Sequence, residues 1–415
     1  MKHILLLLPT TSYRNSDFLA AAEALNAEII SAADYCHQLA PQWGLTPIMS
    51  VHFDMPEQAA GTILQALTRK PEAVLAVDDH GLELAALLNE RLGLTGNKPQ
   101  AVRRLRDKLA FRKLLSAHGF NCPEFHHLPD NDDPAALIPR LRFPVVVKAR
   151  RLSASRGVIR ADNPQQYLQA ITRVRAIQNK ADRDAAALGL IVESFIPGTE
   201  YALEGILEDG HLKTLALFDK PDRLDGPYFE ETLYVTPSRL PRKTQDEIQQ
   251  TVQRACNVAG LTTGPTHTEM RLNSAGIWLL EIAARSIGGL CGRVLRHVLG
   301  ISIEELILRQ ALGEPLPALG PGKTAAVMMI PIPMRGIYQG VRNLDFARQI
   351  PGITDIRITI EPGQNIVPPP EGASYLGFIF ASAANPQEVE SVIRSAHRCL
   401  QFDIQPEFQV VESST

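Results

Sequence analysis

Along residues 1–95, short apolar runs alternate with stretches whose apolar residues recur every three or four positions. Ile4–Leu8 reads as a buried parallel strand. Ser16 is a candidate cap for a helix with Phe18, Leu19, Ala22 and Leu25 on one stripe. Ala73–Val77 predicts a second strand, followed by Asp78-Asp79-His80-Gly81 and a helix to about Leu92. Such alternation predicts a doubly wound α/β unit. The glycine fingerprint of dinucleotide binding is missing after the first strand, so no such site is expected. Gly96-Asn97-Lys98-Pro99 breaks the pattern and starts a helix, with Asn97 as its cap and Gly119 closing it.

Residues 143–218 turn β-rich, through Val145–Lys148, Leu190–Ile196 and a hairpin turning at Asp209-Gly210. Residues 219–241 carry four prolines and several charges, and read as a long loop of the functional kind. A hairpin and a helical stretch follow over 264–312. From about Lys323 the chain predicts strands Ala325–Ile332, Asp355–Ile360 and Tyr375–Ala381, with helices near 342–349 and 386–400.

At 415 residues, the chain is long enough for two to four packed units. Hydrophobic residues at 45% and charged ones at 21% are ordinary for a globular protein. A formal net charge of -3 argues against nucleic acid or an anionic membrane as a partner. Five widely spaced cysteines, Cys36, Cys122, Cys256, Cys291 and Cys399, offer neither a zinc motif nor a disulfide framework. Ile4–Leu8 is too short for a signal segment and no stretch reaches a membrane span, so the cytoplasm is the expected location.

Gly264–Gly289 carries the chemistry. Two strand-like runs flank Ser274-Ala275-Gly276, which predicts a three-residue hairpin loop. That register pairs Leu272 with Trp278, Met270 with Leu280 and Thr268 with Ile282 on one apolar face. The other face pairs Arg271 with Leu279, Glu269 with Glu281 and His267 with Ala283. Carboxylates directly opposite on a sheet destabilise it unless compensated. A divalent cation compensates, and hard oxygen ligands suit magnesium. The alternatives are a register displaced by one residue, or two acids that simply face water.

With these residues in order, the sequence resembles the ATP-grasp superfamily, which includes biotin carboxylase and D-alanine–D-alanine ligase. Glu281-Ile282-Ala283-Ala284-Arg285 matches the family's E-x-N-x-R stretch, with Glu269 as the first metal-binding acid. Ala283 departs from it by replacing the asparagine, so the second ion's coordination is in question. The resemblance implies that Lys108 and Lys148 hold the nucleotide phosphates, under a small-residue lid, Arg151–Gly157, that includes Ser155 and Gly157. It also implies that Glu193, Phe195 and Ile196 line the adenine and that Glu200 binds the ribose.

Further features resemble carboxylate–amine ligases of the bacterial L-amino-acid (dipeptide) kind. They are the 219–238 string with Phe229-Glu230-Glu231-Thr232, Gly264–Glu269, Gly288-Gly289 and the Gly372–Phe378 stretch. The implied architecture is an α/β ATP-grasp fold in three parts: a Rossmann-like domain over 1–95, an ATP-grasp domain over 96–320 with its lid at about 123–192, and a C-terminal α/β subdomain over 321–415. The implied activity is ADP-forming amide synthesis through an acyl phosphate, with ATP and two magnesium ions, which manganese can replace. Arg285 is the expected catalytic residue, and His267, Glu230, Gly288, Gly289 and Arg293 the expected substrate contacts. Partners are then a small carboxylate and an amine, with a homodimer as the expected assembly. Biotin-carboxylase-like carboxylation and a non-catalytic ATP-binding regulator are the competing readings.

Overall fold

The computed structural model describes residues 2–9, 12–34, 48–181, 186–320 and 322–407. They form two compact units: Met1–Cys122 with Tyr201–Phe218 and Pro237–Lys323, and Pro123–Glu200 with Asp219–Thr236 and Thr324–Thr415. Cys36 lies outside the described residues, and the other four cysteines form no disulfide. Among the described residues no helix is long and apolar enough to cross a membrane.

In the first unit, the expected parallel sheet forms in the order Ile48–Ser50, Glu28–Ala33, His3–Leu8, Ala73–Ala76. The run Ile4–Leu8 is wholly buried, as an apolar strand covered on both faces must be. Ser16 does not cap the first helix, Asn15–Ala24, which begins after Arg14 without a side-chain cap. Asn97 is not a cap either: its amide oxygen accepts from Thr262 N at 2.8 Å and Thr263 N at 3.2 Å. The expected single helix to Gly119 is two helices, Pro99–Arg106 and Lys108–Ala117. The break falls at Asp107, whose carboxylate accepts from Leu109 N at 3.0 Å and Ala110 N at 3.4 Å. A capping acid ends one helix by starting another, and here it sets Lys108 in the first turn.

The same unit holds the hairpin Gly264–Asn273 and Gly276–Ala283, next to Thr199–Glu208 and then His211–Lys220. The Asp209-Gly210 turn between the last two strands is as expected, with φ of 48° and 80°. One helix, Arg242–Ala259, packs Ile248, Val252, Ala255 and Cys256 into the core formed with Met270, Leu279 and Ile282.

In the second unit, four antiparallel strands run in the order Phe125–Leu128, Leu190–Ser194, Val145–Ala149, Val158–Ala161. Their core is covered by the helix Pro164–Ala181, through Tyr167, Ala170, Ile171, Val174 and Ile177. The stretch over 143–218 is β-rich as expected, and this helix is an addition that the expectation did not include. The expected loop over 219–241 is also interrupted, by the strand Leu233–Thr236. That strand is followed in its sheet by Thr324–Ile330, Gly377–Ala383 and Ile353–Ile358, with Pro386–Cys399 packed through Val389, Ile393 and Ala396. These elements lie close to the expected C-terminal ones.

Replacing Asp107 by alanine leaves two helix N–H groups without their acceptor. Asp107→Ala should lower the unfolding free energy of its unit by about 1 kcal/mol. Urea unfolding followed by helix circular dichroism checks this, and an unchanged midpoint would remove the cap from the account.

Candidate functional site

Glu269 does face Glu281 across the hairpin, beside the pairs Thr268–Ile282 and His267–Ala283. The rest of the expected register is wrong. Asn273 pairs with Gly276, so the loop has two residues, Ser274-Ala275, instead of three. The register then shifts between Glu269 and Met270, and Leu280 is the extra residue of a bulge. Met270 therefore pairs with Leu279, and Arg271 with Trp278. The loop is one residue shorter than expected and the bulge adds one back, so the two errors cancel at the acids. The bulge also turns Leu279 to the core, where it is 1% exposed.

Both carboxylates keep some contact with solvent, with side chains 22% exposed for Glu269 and 33% for Glu281. Lys108 Nζ lies 3.6 Å from Glu281. Two opposed carboxylates with partial water access make a donor set suited to a small hard cation. Ala283 is buried and supplies no ligand atom.

His267 is buried between two acids. Its Nδ1 is paired with Glu204, and its Nε2 lies 3.2 Å from Glu269 Oε1. Burial works against the charged ring, but Glu204 and Glu269 outweigh it and push the imidazole up to about 9. Glu204 has no exposed surface, and its other oxygen accepts from Ile287 N at 3.1 Å. Sequence reasoning missed Glu204. Its only signal is an acid inside the apolar run Ala202–Leu207.

Arg285 donates to Asp79 at 2.8 Å and to its neighbour Ser286 O at 2.9 Å. Burial opposes the charge on each member of the Arg285–Asp79 pair, and their attraction prevails. Arg285 is raised, and Asp79 is held below the usual carboxylate range. Asp79 stands in the Asp78–Gly81 segment that follows the strand Ala73–Ala76. Arg293 is engaged elsewhere, donating to both oxygens of Asp17 at 2.9 and 2.8 Å. Gly289 has a φ of 60°, and a Cβ added at Gly288 would meet nothing within 4 Å.

In the second unit, Lys148 Nζ donates to Glu193 at 2.6 Å, with the carboxylate only 2% exposed. Phe195 stacks on Phe229, ring centroids 6.5 Å apart, and the Arg160 guanidinium lies 4.2 Å from the Phe195 centroid. Ile196 is buried. Glu200 meets Lys220 at 2.8 Å, and Lys220 also pairs with Glu231. The sequence offers Lys220 and Glu231 only as members of the 219–238 string, a lysine and an acid at the two ends of the 221–230 stretch. Glu230 does not join that pair. Burial pushes its carboxyl up, and it accepts from Ile332 N at 3.4 Å. In the lid loop, Ala154, Ser155 and Gly157 take positive φ values of 54°, 54° and 65°, and Gly157 N donates to Pro370 O at 3.0 Å.

The His267 shift has a definite sign. A folded value above the ordinary 6.5 means that its protonation contributes stability fully below about pH 6.5, lost as pH rises through about 9. The shift corresponds to something on the order of 3 kcal/mol. Nitrogen NMR of histidine-labelled, metal-free protein should find one imidazole titrating near 9, absent in His267→Gln. A His267 midpoint at or below the ordinary value would contradict the assignment.

Residues 141–294 match the family model of the ATP-grasp domain, and residues 328–405 that of the L-amino acid ligase C-terminal domain 2. Carnosine synthase 1 of Homo sapiens is 30% identical over 261 residues, covering 58% of this chain and 31% of that protein. Alanine–anticapsin ligase of Bacillus subtilis is 26% identical over 322 residues, covering 70% of this chain and 65% of that one. The chain thus spans under two thirds of either relative. Among solved structures, the L-amino acid ligase from Bacillus licheniformis superposes with a TM-score of 0.81 at 24% identity, over 98% of this chain and 99% of that one. N5-carboxyaminoimidazole ribonucleotide synthetase from Thermotoga maritima gives 0.72 at 15%, over 98% and 100%. The protein has the ATP-grasp fold, and its C-terminal part is similar to that of L-amino acid ligases.

Proposed function

We propose that this protein is a Mg·ATP-dependent carboxylate–amine ligase, which converts a carboxylate to an acyl phosphate and joins it to an amine, releasing ADP and phosphate. The observation that carries the reading is Glu269 opposite Glu281, with Lys108 beside them. A like-charged pair is unfavourable on its own; Lys108 and His267 offset it here, and a divalent cation would offset it further. Magnesium, when bound, would supply neutralisation of charge on the transferred phosphoryl group. The matches to ligases of amino acids support the amide-forming half of the reading.

The chain's own groups take the following parts. Lys108 and Lys148 hold phosphates, each exchanging its present carboxylate neighbour, Glu281 or Glu193, for a phosphate oxygen. Ser155 and Gly157 belong to a loop whose positive φ values let the backbone fold close over an anion, although the Gly157 N–H itself donates to Pro370 O. Phe195 and Ile196 offer an apolar surface to adenine, Glu193 its polar edge, and Glu200 an acceptor for ribose hydroxyls. Arg285 steadies the acyl phosphate and the oxyanion that follows. Its guanidinium has five N–H donors, of which Asp79 and Ser286 O each accept one. On the substrate side, Glu230, Gly288 and Gly289 are assigned to direct contact. His267 and Arg293 take an indirect part, because carboxylates already engage their nitrogens.

A second reading, an ATP-binding protein without turnover, is favoured by Ala283 standing where the related motif has asparagine. One assay separates the readings. Phosphate release from Mg·ATP should appear only with suitable pairs from an amino-acid panel, and Glu281→Ala should reduce it by more than about 100-fold, beyond the range for an outer-shell partner. ATP binding without stimulated release across the panel would favour the non-catalytic reading. Release that depends on bicarbonate alone would favour carboxylation.

A further inference from the structure

Glu204 sits within the strand Thr199–Glu208 and is 0% exposed. Removing a carboxylate from water costs several kcal/mol unless its oxygens are satisfied. Both are satisfied here. One is paired with His267 Nδ1, and the other accepts Ile287 N–H at 3.1 Å. The far nitrogen of the same ring, His267 Nε2, lies 3.2 Å from Glu269 Oε1. A single buried carboxylate thereby grips the strand that bears Glu269 and also the backbone two residues beyond Arg285.

The geometry points to Glu204 as a positioning residue for the cation-binding carboxylate: it fixes the His267 ring, and the ring fixes Glu269. This rests on the reading of Glu269 as a metal ligand. Glu204 itself touches neither cation nor substrate. The role requires a carboxylate. Both neighbours present N–H donors to it, and a glutamine at this place offers one acceptor oxygen and turns an NH2 toward the other donor. A ring held on one side only is free to rotate, and Glu269 then loses its preferred orientation. Partners behind a metal ligand typically change metal affinity by about 10–100-fold.

The experiment uses the full chain and two measurements. Manganese is titrated into protein plus ATP, with free Mn2+ read by electron paramagnetic resonance. ATP affinity is measured separately in EDTA. Glu204→Gln should weaken manganese binding by about 10–100-fold, with the metal-free ATP affinity within about twofold of wild type. His267→Asn should give a similar loss, and the double variant should be no weaker than the worse single one, because the residues act in one chain. His267→Asn alone decides the matter where Glu204→Gln does not fold. Unchanged manganese affinity in the folded variants overturns the inference, and so does a parallel loss of metal-free ATP affinity or an additive double variant. Wild type and Glu269→Ala keep the two readings apart. If wild type plus ATP binds no manganese, the ligase reading falls and this inference with it. If wild type binds, Glu269→Ala does not, and Glu204→Gln is unaffected, only the inference falls.

Discussion

Two carboxylates, Glu269 and Glu281, stand opposite each other across an antiparallel pair, and their neighbours are arranged around that repulsion. Like charges directly opposed weaken a sheet, so the pair needs partial solvent, a nearby cation and a sound core behind it. The bulge at Leu280 provides the last of these. It keeps the acids in register while sending Met270 and Leu279 together into the apolar core. The cation comes from Lys108, set at the head of its helix by the cap at Asp107. Hairpin, bulge and cap are separate local devices, and all three bear on the same two oxygen-rich side chains.

Charged groups elsewhere follow a related logic. In the first unit, Glu204 meets His267, and Arg285 meets Asp79. In the second, Lys148 meets Glu193, and Lys220 meets Glu200 and Glu231. Buried ion pairs of this kind add little net stability over well-packed apolar side chains. Their value lies in keeping a charged group oriented and paired until a ligand offers a better partner. In the proposed function, a lysine already held at a glutamate has less side-chain freedom left to lose on meeting phosphate than a mobile one would.

How much of this the sequence carried depends on the length scale of each signal. Strands such as Ile4–Leu8 and the turn at Asp209-Gly210 announce themselves within a few residues, and they formed as expected. The helix Pro164–Ala181 also has a local signal: Asn163 caps it, accepting from Gln166 N at 3.0 Å, and its apolar residues recur at helical spacing. The break at Asp107 was hidden because an acid between two basic, helix-forming stretches looks like a surface residue. At the site, the opposition of Glu269 and Glu281 was read through a loop one residue too long and a bulge that restored the count. Glu204 was beyond local reading, since its partner His267 stands 63 positions away.

In the proposed function Glu269 and Glu281 form a cation site beside a nucleotide. The most direct test of that site is a crystal of the protein grown with Mn2+ and a non-hydrolysable ATP analogue, measured at the manganese absorption edge. An anomalous peak is expected at about 2.0–2.3 Å, the distance of a small hard cation from oxygen ligands, from an oxygen of each carboxylate. Nucleotide bound with no peak there, or with manganese held by other residues, would contradict that function for the two acids.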